Sequence, residues 1–256
     1  MTEPAQLSGK AGQGNAPAPI SGGAVDRGLL EDLAAASRIL VDQGVFDAAG
    51  HFSMRHPLHP ERFLMSRSLA PALVTADDIM EFDLAGEGCD LRGRNGFIER
   101  FIHSEIYRRR PDVMAVAHSH SASVIPFGLT GTPMRAMYHN AAFIAAGVDV
   151  FDIREQFGTT DIVINTPEKG GALAKVLGDN SVALLRAHGM VVVGPDIPNT
   201  VFRAIFTEVN ARLQLQATML GGPIAALDRD EGRLADAVNI ATVGRSWDLW
   251  KRRVTQ

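Results

Sequence analysis

Two histidines stand one residue apart at the end of the apolar run AVAHSH (115–120). Side chains of an extended strand repeat every two residues, so His118 and His120 share one face. Imidazoles paired in this way suit a metal ion, a shared proton or structural hydrogen bonds. A third histidine, His188, ends the apolar run in LLRAHGMVVVG (184–194) and precedes Gly189, which permits close backbone approach or an unusual dihedral. If both strand ends open on one rim, three neutral nitrogens converge, a donor set that can hold a divalent metal with a position left open. Glu99 opens the helical segment IERFIHSEIYRRR (98–110). It reads either as a solvated first-turn carboxylate favoured by the helix dipole, or as a fourth ligand or proton donor.

The elements that must position these groups follow from periodicity. DRGLLEDLAAASRILVDQG (26–44) has helical spacing and a glycine stop, and IERFIHSEIYRRR places Ile98, Phe101, Ile102 and Ile106 on one side. HFSMR (51–55), ERFLMS (61–66), IMEFDL (79–84) and VMAVAH (113–118) read as strands, with a helical turn expected at TADDI (75–79). DIVIN (161–165), VALLRA (182–187) and MVVVG (190–194) read as further strands around the helix EKGGALAKVLG (168–178). A short helix is expected from Ser121, and a long amphipathic one over residues 199–222. In SWDLWKRR (246–253), Trp247 and Trp250 either pack on the body or form a flap over a neighbouring subunit. The pattern predicts one α/β domain over residues 26–256, preceded by a flexible tail of residues 1–25 rich in Gly, Ala and Pro.

Composition narrows the partners. The chain has 256 residues and a net charge of −4, which offers nucleic acid no basic footprint. The single cysteine, Cys89, excludes an internal disulfide and a multi-thiolate metal site. No apolar run approaches the about 18–20 residues needed to span a bilayer, and no signal-peptide core is visible. The expected location is the cytoplasm, with no nucleic-acid or membrane partner.

GHFSMR (50–55), TADDI (75–79) with FDLAG (82–86), ERFIHSEIYRRRPDVMAVAHSHS (99–121) and LLRAHGMVVVG resemble, in order and spacing, the class II aldolase/adducin family over about residues 28–225. The resemblance implies a three-layer αβα fold with a mixed central β-sheet, and usually a C4 homotetramer with active sites between subunits. It also implies His118, His120 and His188 as ligands of a divalent metal ion (Mn, Zn, Fe or Co), and Glu99 at the position of the catalytic glutamate.

The chain departs from the sugar-phosphate aldolases of that family. Their phosphate-binding motifs look like Gly-Asn-x-Ser, Ser-Gly and Ser-Ser-Glu, where this chain has GHFS (50–53), SRSLAP (66–71) and GFIE (96–99). Phe97 and Ile98 remove hydroxyl donors and offer apolar walls suited to a flat ring. His51, Arg67, Ser68 and LAP resemble the decarboxylase branch, as does PFG…GTPMRAMYHNAAFI (126–144) with His139. That branch acts on hydroxylated aromatic or pyridine dicarboxylates. His51, Arg67, Ser68, Phe97 and His139 are therefore the candidate substrate contacts, Arg67 either clamping a carboxylate or forming a structural ion pair. Glu99, with its pKa raised by Phe97, Ile98 and burial, would protonate the ring carbon. His103 reads as a structural hydrogen-bonder, and His56 and His59 as bystanders. The alternatives are aldol cleavage of a small unphosphorylated hydroxy acid or sugar, an iron-dependent oxygenase, and an adducin-like binding protein.

Overall fold

Strands that are apolar on both faces need helices on both sides, and that requirement shapes the whole chain. The computed structural model describes residues 18–255. In chain order the elements are α1 (Arg27–Asp42), β1 (His51–Arg55), β2 (Arg62–Ser66), β3 (Ile79–Asp83), α2 (Arg100–Arg109), β4 (Ala115–Ser119) and α3 (Ile125–Thr130). They continue with β5 (Asp149–Phe151), α4 (Arg154–Phe157), α5 (Pro167–Leu177), β6 (Val182–Leu185), β7 (Gly189–Gly194), α6 (Ile197–Met219) and α7 (Arg229–Thr255). The strands form one seven-stranded sheet in the order β3-β2-β1-β4-β7-β6-β5. Its pairings are antiparallel except for the parallel β5–β6 pair, so the sheet is mixed, as the sequence pattern predicts.

Alternation along the central strands divides the core in two. Ala115, Ala117, Met190 and Val192 face a cluster with Leu33 and Ile39 of α1 and Val201 and Ile205 of α6. Val116, Val191 and Val193 face the opposite cluster, with Ile102 and Ile106 of α2 and Leu173 and Leu177 of α5. The result is a three-layer αβα fold. Asp26 caps α1 by accepting from the Leu29 N–H, and Gly44 (φ 71°) lets the chain reverse after it. Thr75 and Asp78 form a reciprocal capping box at the turn before β3.

Three expectations need correction or extension. DIVIN is not a strand. Ile162 takes a left-handed conformation (φ 59°), and its N–H and that of Val163 are bound by Thr160 Oγ1 and the Asp161 carboxylate. Those local bonds displace a sheet ladder, and the sheet edge is instead β5, which the sequence pattern did not indicate. Second, the C-terminal segment belongs to a 27-residue helix, α7, whose Trp247 and Trp250 are buried in the core cluster of α1 and α6. Third, residues 1–17 of the expected tail lie outside the described residues, but residues 20–23 are held by side chains of β2 and β3. There the Gly22 N–H donates to Glu81 Oε1 at 2.6 Å and Arg62 Nε donates to the Ile20 carbonyl at 3.0 Å. Among the described residues no helix is long and apolar enough to cross a membrane.

Helix α2 carries Glu99 at its start and lies against α5 at Gly170, where an added Cβ would collide with the Phe101 carbonyl. Gly170→Ala should therefore push the two helices apart and cost roughly 1–3 kcal/mol. Thermal or urea unfolding of the variant beside wild type measures this, and an unchanged midpoint would show that the contact relaxes freely.

Candidate metal centre

The site begins with strand register. Antiparallel pairing sets His51 of β1 opposite His118 of β4, and His118 opposite Val191 of β7. His118 is fully buried on the face covered by α2, and its Nδ1 donates to the Met190 carbonyl at 3.0 Å. That bond fixes the tautomer and leaves the Nε2 lone pair aimed into the site, where it has no hydrogen-bond partner. The turn from β6 into β7 brings His188 alongside. Ala187 adopts a left-handed conformation there (φ 57°), and at Gly189 a Cβ would collide with the Ser119 carbonyl. The close-approach role expected of Gly189 is therefore real, because β7 touches the end of β4 between the two histidines.

Glu99 occupies the cap position of α2 and is 8% exposed. Its Oε1 accepts from the Ile164 N–H at 2.9 Å. Its Oε2 lies 3.6 Å from His118 Nε2, 3.5 Å from His188 Nε2 and 4.0 Å from His51 Nε2. These separations exceed ordinary hydrogen bonds, but those to His118 and His188 are near the spacing of ligands around a common ion. Tetrahedral bonds of about 2.0–2.1 Å put ligand atoms about 3.3–3.4 Å apart. One ligand atom each from Glu99, His118, His120 and His188 lies within 4.8 Å of the others. The three histidine rings form a triangle with centroids 4.9–5.2 Å apart. His120 is oriented from outside, its Nδ1 donating to Asp47 Oδ2 at 3.0 Å while Asp47 Oδ1 accepts from the N–H groups of Ala49 and Gly50.

The orphaned Nε2 of His118 and this set of three neutral imidazoles with one carboxylate fit a divalent cation. Burial pushes the His118 pKa down to about 3, so the imidazole is neutral and free to ligate. Glu99 corrects an expectation. Burial favours a raised pKa, but the adjoining His188 and His118 imidazoles and the Ile164 N–H outweigh it and hold the carboxyl at about 2. It enters the site as a carboxylate, not as an acid.

The remaining candidates divide. His51 is buried (3% exposed) and joins the site from β1, with the Phe97 ring 4.7 Å from its own. His103 is a hydrogen-bonder as expected, joining His51 to Ser53. Arg67 forms the structural ion pair, Nε to Asp78 Oδ1 at 2.7 Å, and Ser68 is exposed with its N–H on the Asn95 carbonyl. His139 is exposed, its ring facing Asn140 and its carbonyl accepting from Asn239. Within one chain, no hydrogen bond of Arg67, Ser68 or His139 reaches the four-residue cluster. His56 lies in the loop after β1 and outside the cluster; it is buried, its Nδ1 accepting from the Leu58 N–H. Asp47 and the Ile164 N–H went unrecognised in the sequence. A D-x-x-G turn was the only trace of the first, and a backbone donor leaves no side-chain signature at all.

A mixed sheet between two helical layers, with three histidines and a carboxylate converging at the ends of β4 and β7, defines an α/β protein of metal-site type. Residues 31–215 match the model of the Class II Aldolase and Adducin N-terminal domain, and the chain belongs to that family. It is 36% identical over 239 residues to "Decarboxylase tropJ" of Talaromyces stipitatus, covering 84% of this chain and 90% of that protein. It is 29% identical over 236 residues to a 3,4-dihydroxyphthalate decarboxylase of Arthrobacter keyseri, covering 86% and 91%. Among solved structures, an L-fuculose 1-phosphate aldolase from Glaciozyma antarctica superposes with a TM-score of 0.73 at 24% identity, covering 89% of this chain and 88% of that one, a likeness of fold.

Because Asp47 orients His120 through the nitrogen that faces away from the cluster, Asp47→Ala should weaken divalent-metal affinity by roughly 10–100-fold without unfolding the protein. Competition titration against a chromophoric chelator, with circular dichroism as the folding control, reads the change. Wild-type affinity in the variant would show that His120 is not a ligand.

Proposed function

We propose that the protein is a metal-dependent, oxygen-independent decarboxylase of a hydroxylated aromatic acid of the phthalate or pyridine-dicarboxylate type. The observation that carries this reading is the convergence of Glu99 with His118, His120 and His188 near Phe97, which packs on His51; Ile98, the other apolar residue of GFIE, is exposed. The named activities of the two decarboxylase relatives support the same chemistry.

His118, His120 and His188 would hold the ion, leaving a position for substrate. A bound divalent ion (Mn, Zn, Fe or Co) supplies Lewis acidity that holds negative charge on the substrate's hydroxyl and carboxylate oxygens. Glu99, already ionised, accepts the proton of the ring hydroxyl as the substrate enters. Glu99 then delivers that proton to the ring carbon bearing the carboxylate, and the ring takes its carbonyl tautomer as the phenolate electrons form the C–H bond. The bond from that carbon to the carboxylate breaks and carbon dioxide leaves, the bonding pair restoring the aromatic ring and returning charge to the oxygen, which regains its proton from water. Phe97 walls the ring and limits water at the carbon being protonated. His51 faces the same oxygen cluster as a substrate contact. Arg67, Ser68 and His139 would act on substrate only across a subunit boundary. This accords with a homotetramer whose contacts use the exposed apolar residues of α7, among them Leu234, Val238 and Leu249.

Carbon dioxide release from a panel of hydroxylated phthalates and pyridine dicarboxylates tests the reading, using chelated and metal-reconstituted protein with oxygen uptake followed in parallel. The expected result is metal-dependent release without oxygen uptake. Release coupled to oxygen consumption, or no release from a protein that binds metal, would overturn it in favour of an oxygenase or an aldolase. Glu99→Gln keeps an acceptor for the Ile164 N–H but cannot carry the proton. It should lower turnover by roughly 10²–10⁴-fold with the fold intact, read from steady-state rates.

A further inference from the structure

A buried polar chain leads away from the metal-site carboxylate into the layer of α2. His51 Nδ1 lies 2.7 Å from His103 Nε2, His103 Nδ1 lies 2.6 Å from Ser53 Oγ, and Ser53 Oγ lies 2.7 Å from the Tyr107 hydroxyl. None of the four residues is more than 3% exposed. At its near end, His51 Nε2 faces Glu99 Oε2 at 4.0 Å.

The hydrogens of this chain can be assigned by elimination. The His51 Nδ1–His103 Nε2 contact requires one nitrogen to accept, and both rings are buried with no carboxylate within hydrogen-bond reach, so each ring carries one N–H. Ser53 and Tyr107 carry one O–H each. Among the described residues the Tyr107 hydroxyl has no other partner, and neither does Ser53 Oγ beyond the two it holds in the chain. A buried O–H without an acceptor is costly and rare, so each of these hydrogens must fall within the chain. Tyr107 therefore donates to Ser53, and Ser53 must use its own hydrogen on His103 Nδ1. The His103 hydrogen is then on Nε2 and goes to His51 Nδ1, which leaves the His51 hydrogen on Nε2. The reverse direction strands the Tyr107 hydrogen. The mixed arrangement, with Ser53 accepting from both sides, strands the Ser53 hydrogen.

We propose that Ser53, His103 and Tyr107 are positioning residues that hold His51 in its Nε2–H tautomer, so that it offers the site a hydrogen-bond donor and not a fourth imidazole ligand. An oxygen entering between His51 and Glu99 meets an N–H on one side and a carboxylate on the other, which suits a hydroxyl that donates to Glu99 while accepting from His51. The consequence for catalysis rests on the decarboxylase reading. The tautomer does not.

Ring-nitrogen chemical shifts of isotope-labelled histidine report the tautomer directly, with His51→Asn and His103→Asn used to assign the signals. Wild-type protein, metal-free and zinc-loaded, should show both rings in the single Nε2–H form. Tyr107→Phe should keep that pattern, because the Ser53 hydrogen still has only His103 to bind. The double variant Ser53→Ala/Tyr107→Phe removes both hydroxyls together, so that no buried O–H is stranded, and it should move both rings to tautomer-averaged shifts. Its metal content should stay at the wild-type level while kcat falls by roughly 10–100-fold. His51 found as the Nδ1–H form, or a double variant with unchanged shifts, would overturn the proposal even if the protein decarboxylates. The expected shifts with no carbon dioxide release would leave the proposal standing and count against the decarboxylase reading alone.

Discussion

The imidazole of His118 is removed from water, its Nδ1 is committed to the Met190 carbonyl, and its Nε2 finds no protein partner. An acceptor buried in that state costs about 1–3 kcal/mol unless something else binds it, so the surrounding structure makes sense as the housing of a cation. The constraint propagates outward. The bond to Met190 requires β4 and β7 to keep their register, and that register holds only because Gly189 lets one backbone touch the other. The same pairing brings His188 to the face on which His118 lies. Asp47, tied down by the N–H groups of Ala49 and Gly50, orients His120 from the loop that precedes β1.

Helix α2 supplies the opposite wall through a spacing that combines two roles. Glu99, His103 and Tyr107 are four residues apart and so lie along one stripe of the helix. Ile102 and Ile106 pack into the apolar core beside them. The stripe faces the inward side of β1, where His51 and Ser53 alternate with Phe52 and Met54, which turn to the other cluster. Polar groups buried this deeply are tolerable because each is matched to another. Arg55 extends the same economy beneath the site. Its guanidinium donates to the carbonyls of Val113, Tyr107 and Arg110 and lies 4.8 Å from the Tyr107 ring. A metal-type site and a folding core thus share one helix, which is why the packing of α2 on α5 matters to the chemistry.

The held carboxylate changes how proton transfer must be pictured. Apolar neighbours and burial alone would raise the Glu99 pKa. The Ile164 N–H and the adjoining imidazoles reverse that tendency, leaving a base that must first receive a proton before it can give one. The segment carrying Ile164 is free to donate because it leaves the sheet, the left-handed turn at Ile162 directing its N–H toward the site. What looked like a buried strand in the sequence is therefore a loop recruited to hold a charge.

Much was determined by the chain as written. Alternating and continuous apolar runs specify six of the seven strands, and periodicity specifies most of the helices. The H-x-H spacing commits His118 and His120 to one face, because strand geometry is local and repeats every two residues. The motif set around Glu99 and His188 identifies the family for the same reason. Tertiary structure alone decided the rest. DIVIN and β5 exchanged roles because a short apolar run competes with local side-chain bonds that periodicity does not register. Arg67 found Asp78, and Asp47 found His120, across intervals that no spacing rule encodes. The pKa of Glu99 was set by a backbone N–H and two imidazoles that sequence leaves far apart. Pairwise electrostatics and hydrogen bonding act over a few ångströms of space, and only the folded chain determines which groups come within that distance.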